Sequence, residues 1–216
     1  YIYPKSLSEF AQPKIITREI SFGCSMSFDE GIFYTNTKCY SFIKHDHVKE
    51  SYLFYLALLN SSLMWFFIKN TGYELRGGYF TFKTKYLEPF PLPKLNNLAQ
   101  QQPFVEKAEK MLELHKKLHE LAKESIEFLQ TKYELKTIPR KLEKFWQLGT
   151  NPFIATLKKQ KVKLSLNEEK ELMQWYKKEQ VALLEIEKQI TQLDKQIDND
   201  VYQLYGLTDE EIKIIE

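Results

Sequence analysis

Apolar positions follow two different rhythms along the chain. Between Pro103 and Tyr133 they step by three and four. Met111, Leu114, Leu118, Leu121 and Phe128 share one face, with Ser125 filling the gap, and Val105, Ala108, Leu112, Ala122, Ile126 and Leu129 form a second stripe. That recurrence predicts an amphipathic helix, roughly 45 Å long at about 1.5 Å per residue. Two apolar faces imply contact on two sides, and Pro103 suits the first turn. A second long helix opens at Ser165, where Glu168 three residues on completes a capping box. Its stripe runs through Leu172, Tyr176, Leu183, Ile186, Ile190, Leu193, Ile197 and Leu204, and Gly206 fits the position after its end. Thr208 with Glu211 starts a short terminal helix in the same way. Pro139, Gly149 and Pro152 break residues 134–164 into a bent helical connector, so the two long helices can lie antiparallel.

The first hundred residues read differently. Pro13 to Ile20 is β-rich, and Met26 to Phe28 is a second candidate strand. Asp29-Glu30-Gly31 is a turn signal. Ile32 to Thr35 and Cys39 to Ile43 are aromatic and β-branched, and read as strands around Asn36-Thr37-Lys38. Tyr52 to Asn70 is apolar almost all the way round a helix, which predicts burial. Arg76-Gly77-Gly78 is a tight turn whose paired glycines permit positive φ. Tyr79 to Lys83 alternates as a strand and is a candidate to complete the sheet, before Pro89, Pro91 and Pro93 end regular structure. The expected fold is therefore α+β: a small β-rich domain with a buried helix over residues 1–100, then two long antiparallel helices over residues 101–216. Asn96 to Gln102 is the polar joint.

Composition sharpens that division. Residues 1–100 hold 21 of the 31 aromatic residues and 11 Lys/Arg against 8 Asp/Glu, whereas the remainder balances 20 against 21. The net charge is only +2, so no global basic field points to a polyanion. No signal peptide is visible, and the chain opens at Tyr1 without methionine, which reads as a fragment of a longer protein. The most apolar run, Tyr52 to Ile68, is interrupted by Asn60-Ser61-Ser62 and is shorter than the roughly 20 residues of a membrane span. Cys24 and Cys39 lack metal or redox spacing and read as free, reduced thiols.

Catalytic signals are weak. Asn151-Pro152-Phe153 approaches the Asn/Asp-Pro-Pro-aromatic loop that grips a flipped-out base, but it lacks one proline and lies in a connector. Glu134-Leu135-Lys136 has the Glu-x-Lys form of a magnesium nuclease without an upstream aspartate-bearing strand. His115 and His119 share a helix face, yet have no third ligand and two intervening lysines. His45 and His47 flank Asp46 without a firm signal. No Gly-rich strand–loop–helix unit is present to hold a nucleotide-like cofactor.

What remains is binding chemistry. Lys69, Asn70, Arg76, Lys83 and Lys85 fall close together around Gly77-Gly78, with Tyr73, Tyr79 and Tyr86 interleaved and Glu74 as the acid among them. Lysines can sit on phosphates, arginine can donate two hydrogen bonds to guanine, and asparagine can read adenine. On charge alone, solvated side chains around a turn account for the patch.

A family resemblance changes that balance. Leu58-Leu59-Asn60-Ser61, Arg76-Gly77-Gly78-Tyr79, Tyr86-Leu87 and Pro91-Leu92-Pro93 together resemble the TaqI-like C-terminal specificity domain of type IIG restriction–modification enzymes, which is related to type I specificity subunits. Ile197-Asp198 to Tyr202, Leu204-Tyr205-Gly206-Leu207-Thr208 and Glu210-Glu211-Ile212 resemble its closing helix. The resemblance implies a DNA target recognition domain with a helical spacer, acting on double-stranded DNA in the cytoplasm. It implies Arg76, Asn70 and Asn36 at base edges and Lys69, Lys83 and Lys85 at phosphates. Gly77, Gly78 and Tyr79 would form the approaching tip, and Lys14, Arg18 and Lys38 would contribute from a neighbouring surface. S-adenosylmethionine and magnesium would belong to methyltransferase and nuclease parts outside these residues, and the helices would link to those parts or self-associate. Half of a type I specificity subunit, or a helical scaffold that never touches DNA, remain the alternatives.

Overall fold

The computed structural model describes residues 7–216; residues 1–6 of the expected β unit lie outside that range. Two compact units emerge. One is built from the chain up to Lys110 together with Asp194–Glu216, and the other from Met111–Leu193. The fold is α+β, with a β-rich N-terminal part and long helices.

The first unit opens on a one-turn helix, α1 (Leu7–Phe10), and six short strands follow: β1 (Lys14–Arg18), β2 (Ile20–Ser21), β3 (Ser27–Asp29), β4 (Cys39–Phe42), β5 (Glu74–Leu75) and β6 (Tyr79–Thr81). They form two antiparallel sheets in the orders β3-β1-β4 and β2-β6-β5. The strand expected over residues 13–20 is split at Glu19, whose N–H donates to the Lys38 carbonyl (2.8 Å) while its own carbonyl accepts from the Phe82 N–H (2.8 Å). At Glu19 the chain thus passes from the first sheet to the second, and β6 joins this separate sheet instead of completing the first. The strand expected at Ile32–Thr35 does not form. The N–H groups of Ile32 and Phe33 instead donate to the Asp29 carboxylate, at 3.1 and 3.2 Å, which curls the segment back on its own turn.

The apolar run expected as one helix is two: α2 (Tyr52–Asn60) and α3 (Ser62–Thr71), bent by 59°. Ser61 causes the break. It is extended, its hydroxyl donates to the Leu58 carbonyl (2.7 Å), and the Ser61 Oγ itself accepts from the Met64 N–H (3.3 Å). Ser61 therefore closes one helix and caps the next. The break is fixed from far away in sequence, because Asp198 accepts from both the N–H and the hydroxyl of Ser62 at 2.7 Å each. A carboxylate there satisfies a free amide and complements the positive end of the helix. Asn60 is clasped to the Met26 backbone in both directions (2.8 and 3.0 Å), docking the helix pair beside β3. Phe80, Phe82, Met64, Ile68 and Leu87 fill the core between helices and strands. Among the described residues no single helix is long and apolar enough to cross a membrane; α2 and α3 reach that length only as a bent pair.

A short helix α4 (Thr84–Leu87) precedes the proline run. The long helices are α5 (Gln102–Lys132) and α7 (Leu166–Tyr205), and α8 (Asp209–Ile215) carries the expected Thr208–Glu211 capping box. Within the second unit Ser125 of α5 meets Glu179 of α7 (3.4 Å), while His115 and His119 line a groove with Glu187 and Thr191, so the two helices run antiparallel. The connector holds α6 (Thr150–Lys159) and two short 3-10 turns. Its Phe145, Trp146 and Phe153 pack against Tyr176 and Leu172 of α7.

Candidate nucleic-acid interface

The register of the second sheet determines which side chains face outward. Ile20 lies opposite Thr81, Ser21 opposite Phe80, Glu74 opposite Phe80, and Leu75 opposite Tyr79. Alternation then places Phe80 on the inner face with Phe82, where Trp65 meets the Phe80 ring edge-on at 5.3 Å. It places Ile20, Tyr73, Leu75, Tyr79 and Lys83 on the outer face. That outer face is unusually apolar for one in water: Ile20, Phe22, Tyr73 and Tyr79 are all exposed.

The turn joining β5 to β6 is the glycine tip. Gly77 and Gly78 both have positive φ, +88° and +78°, as their pairing predicts. A side chain at Gly78 would also meet the Phe22 ring at 2.9 Å. Arg76 at the start of this turn is exposed and makes no ion pair among the described residues. Lys69 and Asn70 end α3 shortly before β5, and both are exposed. Lys69 lies over the Trp65 ring at 5.9 Å, and the Asn70 amide donates to the Phe66 carbonyl at 2.7 Å. Lys85 stands over Tyr86 at 4.6 Å.

Arg18, Asn36 and Lys38 of the first sheet border the same surface, sharing a shallow groove with Glu19 and Ile20. The Asn36 side-chain oxygen accepts from the Lys38 N–H (2.9 Å), which sets the turn. A second shallow groove joins Glu19 and Ile20 to Tyr73, Lys83 and Lys85. Eleven of the twelve residues singled out in the sequence therefore lie on the surface or in the tip.

Lys14 is the exception, and its assignment to a DNA surface is corrected. Its side chain is fully buried, ion-paired with Asp29 and hydrogen-bonded to the Phe10 carbonyl at 2.7 Å. The β1–β3 register places Lys14 directly opposite Asp29, so the lysine neutralises an interior carboxylate and cannot reach a ligand.

Glu19 and Phe22 were not singled out in the sequence. Glu19 receives both Lys38 and Lys83 at 3.4 Å. Burial by itself would raise its carboxyl, but these two lysines outweigh burial and hold it below the usual carboxylate range. An acid thus sits inside the basic cluster, arriving from a strand far from the tip in sequence. Phe22 carries no signal beyond its place after a strand and before Gly23.

The motifs resembling catalytic ones are structural. Phe153 of the Asn-Pro-Phe run is fully buried and stacks on Tyr176 at 4.4 Å. Glu134 adopts positive φ, +48°, just beyond the end of α5, and Leu135 is buried. His115 and His119 are exposed on α5, and among the described residues no group of three or more His, Cys, Asp and Glu side chains is placed to hold a metal ion. Cys24 and Cys39 form no disulfide, and burial, with Asp198 nearby, pushes the Cys24 thiol up to about 12.

Two protein families match this chain. Residues 2–92 match the TaqI-like C-terminal specificity domain, so this segment carries a specificity domain of that type. The match supports a DNA target-recognition domain of restriction–modification enzymes, and the tip, both sheets and the helix pair all lie within it. Residues 97–201 match a domain of unknown function, DUF8810. No curated protein matches the chain.

Proposed function

We propose that the chain is the sequence-reading part of a type IIG restriction endonuclease and adenine methyltransferase. The second sheet and its glycine tip would dock in the major groove of double-stranded DNA. The observation that carries this reading is the exposed tip. Among the described residues Arg76 has no acidic ion-pair partner; it stands beside two positive-φ glycines, with Lys69, Lys83 and Lys85 nearby, inside a segment matching a specificity domain. Arg76 is suited to guanine, since its fork of donors is uncommitted. Asn70 and Asn36 each hold one local hydrogen bond, but an amide retains further donor and acceptor capacity for adenine. Lys69, Lys83 and Lys85, with Arg18 and Lys38, would lie along phosphates and orient the domain without reading sequence. Binding S-adenosylmethionine and magnesium falls to catalytic parts joined to this chain or assembled with it in the cytoplasm. The long helices would connect to those parts or pair with a second copy.

The test is a selection from random duplexes at several salt concentrations. A short enriched sequence with steep salt dependence is expected, because each phosphate contact releases counterions. A flat salt response without enrichment would refute the reading. The reading frame of the parent gene separates type IIG from a type I specificity subunit: a methyltransferase in the same frame is expected.

A further inference from the structure

The most exposed aromatic side chain on the second sheet's outer face is Phe22, at 67%. Phe22 follows directly on Ser21, which lies opposite Phe80, and its ring meets that of the neighbouring Tyr79 at 5.7 Å with an interplanar angle of 67°. Such a cross-strand edge-to-face contact is favourable and fixes the ring's orientation. Gly78 supports the ring from a second side, because any side chain there would strike it at 2.9 Å. Gly23, the next residue, has positive φ (+146°), and a side chain there would meet nothing within 4 Å. A large apolar ring is thus held in place by two supports while most of its surface stays in water, an arrangement that protein packing alone does not explain.

Its surroundings specify what covers it. Arg76 and Tyr79 flank the tip, and Lys83 lies on the same face of the sheet. A protein partner that buried Phe22 would also have to desolvate these cations, whereas a polyanion with apolar base faces between its phosphates satisfies both. We infer that Phe22, buttressed by Tyr79 and Gly78, is a wedge that enters bound duplex DNA at one base step and partly unstacks it. The inference rests on the reading of this surface as a DNA interface and adds an apolar determinant to its polar ones. Unstacking costs least at flexible pyrimidine–purine steps, so the wedge would impose a preference at a step that no hydrogen bond reads.

The experiment uses the full chain and the duplex enriched by selection, with a fluorescent purine analogue placed at successive positions. On binding, fluorescence is expected to rise at one step. Phe22→Ala should abolish that rise and weaken binding roughly tenfold, leaving the salt slope unchanged because the ring touches no phosphate. Phe22→Trp should restore the rise, which shows that the lost signal reflects the ring and not misfolding; equal unfolding midpoints for all three proteins check the same point. A full-sized rise in Phe22→Ala, or unchanged affinity, would overturn the wedge while leaving DNA recognition standing. Failure of the unsubstituted chain to bind any duplex would overturn both.

Discussion

The two small sheets treat charge in opposite ways. In the first, Lys14 and Asp29 face each other across β1 and β3, both withdrawn from water. In the second, cations stay outside with the aromatic residues, while Phe80 and Phe82 face the core. The two sheets are joined directly, since the chain crosses from β1 of one to β2 of the other at Glu19. Sequence position and charge therefore do not make a lysine part of an interface; strand register does. A lysine whose partner across the ladder is an aspartate is consumed by the fold, whereas Lys83 on the outer face stays exposed and is held only by a salt-screened pair with Glu19.

The sharpest way to break this contrast is at the buried pair. Asp29→Ala should leave Lys14 uncompensated in the interior and release the N–H groups of Ile32 and Phe33. Removing one partner of a buried pair costs about 3–5 kcal/mol, which denaturant unfolding would register. Acid should act in the same direction. Burial by itself would raise the Asp29 carboxyl, but Lys14 and the two N–H groups outweigh burial and hold it below its ordinary value. Its contribution is then complete above the unfolded-state pKa of about 4 and is lost as pH falls through the lower folded-state value. In Asp29→Ala that part of the acid sensitivity should vanish.

The second-sheet counterpart should show the reverse. The double variant Arg76→Ala, Lys83→Ala should cost under about 0.5 kcal/mol of stability, as substitutions at exposed sites usually do. Duplex affinity should fall roughly a hundredfold at moderate salt, with the salt slope reduced by about one for the lost phosphate contact. If affinity is unchanged while substitutions in the helical stripes abolish assembly, the chain is a scaffold and the comparison between sheets loses its functional meaning.

These contrasts also explain what the sequence could reveal. The helices were legible because their signals are local. The expected span 103–133 is found at 102–132, and Ser165–Glu168 and Thr208–Glu211 cap α7 and α8 as their spacing predicts. The glycine tip was legible for the same reason. The break at Ser61 was harder, because the carboxylate that secures it belongs to Asp198, 136 residues beyond Ser62. Ile32–Thr35 has strand composition but is captured by Asp29. Lys14 and Glu19 were misjudged or missed because their surroundings are set by strand pairing, which composition does not contain. Phe22 became conspicuous only when the register placed it beside Tyr79 on the outer face.

Gly78→Ala sharpens the comparison within the second sheet. Positive φ disfavours any side chain there, at about 1 kcal/mol, and the added methyl would push the Phe22 ring from its seat. A small loss of stability should accompany a larger loss of duplex affinity. Gly77→Ala shares the backbone penalty, but the nearest atom to its added methyl is in the Tyr79 ring at 3.8 Å. Similar stability loss with unequal binding loss would separate backbone strain from displacement of the ring. Equal binding losses would mean that the ring's position does not matter.

The smallest expected effect concerns Glu19, where the two sheets meet. Its carboxylate holds Lys38 and Lys83 at 3.4 Å each, and the two lysines hold it below the usual carboxylate range. These pairs are exposed and screened by salt, so they contribute little to stability. Toward DNA, however, Glu19 acts twice: it repels phosphate, and it withholds two cations that would otherwise be available. Glu19→Gln should therefore tighten duplex binding, by roughly two- to fivefold at low salt, with the gain fading as salt rises. The same change at Glu74, which has no ion-pair partner among the described residues, removes a charge without releasing a lysine and should give a smaller gain. Weaker binding in Glu19→Gln would show that the carboxylate positions Lys38 and Lys83 for DNA instead of competing with it, which would make Glu19 a positioning residue of the interface.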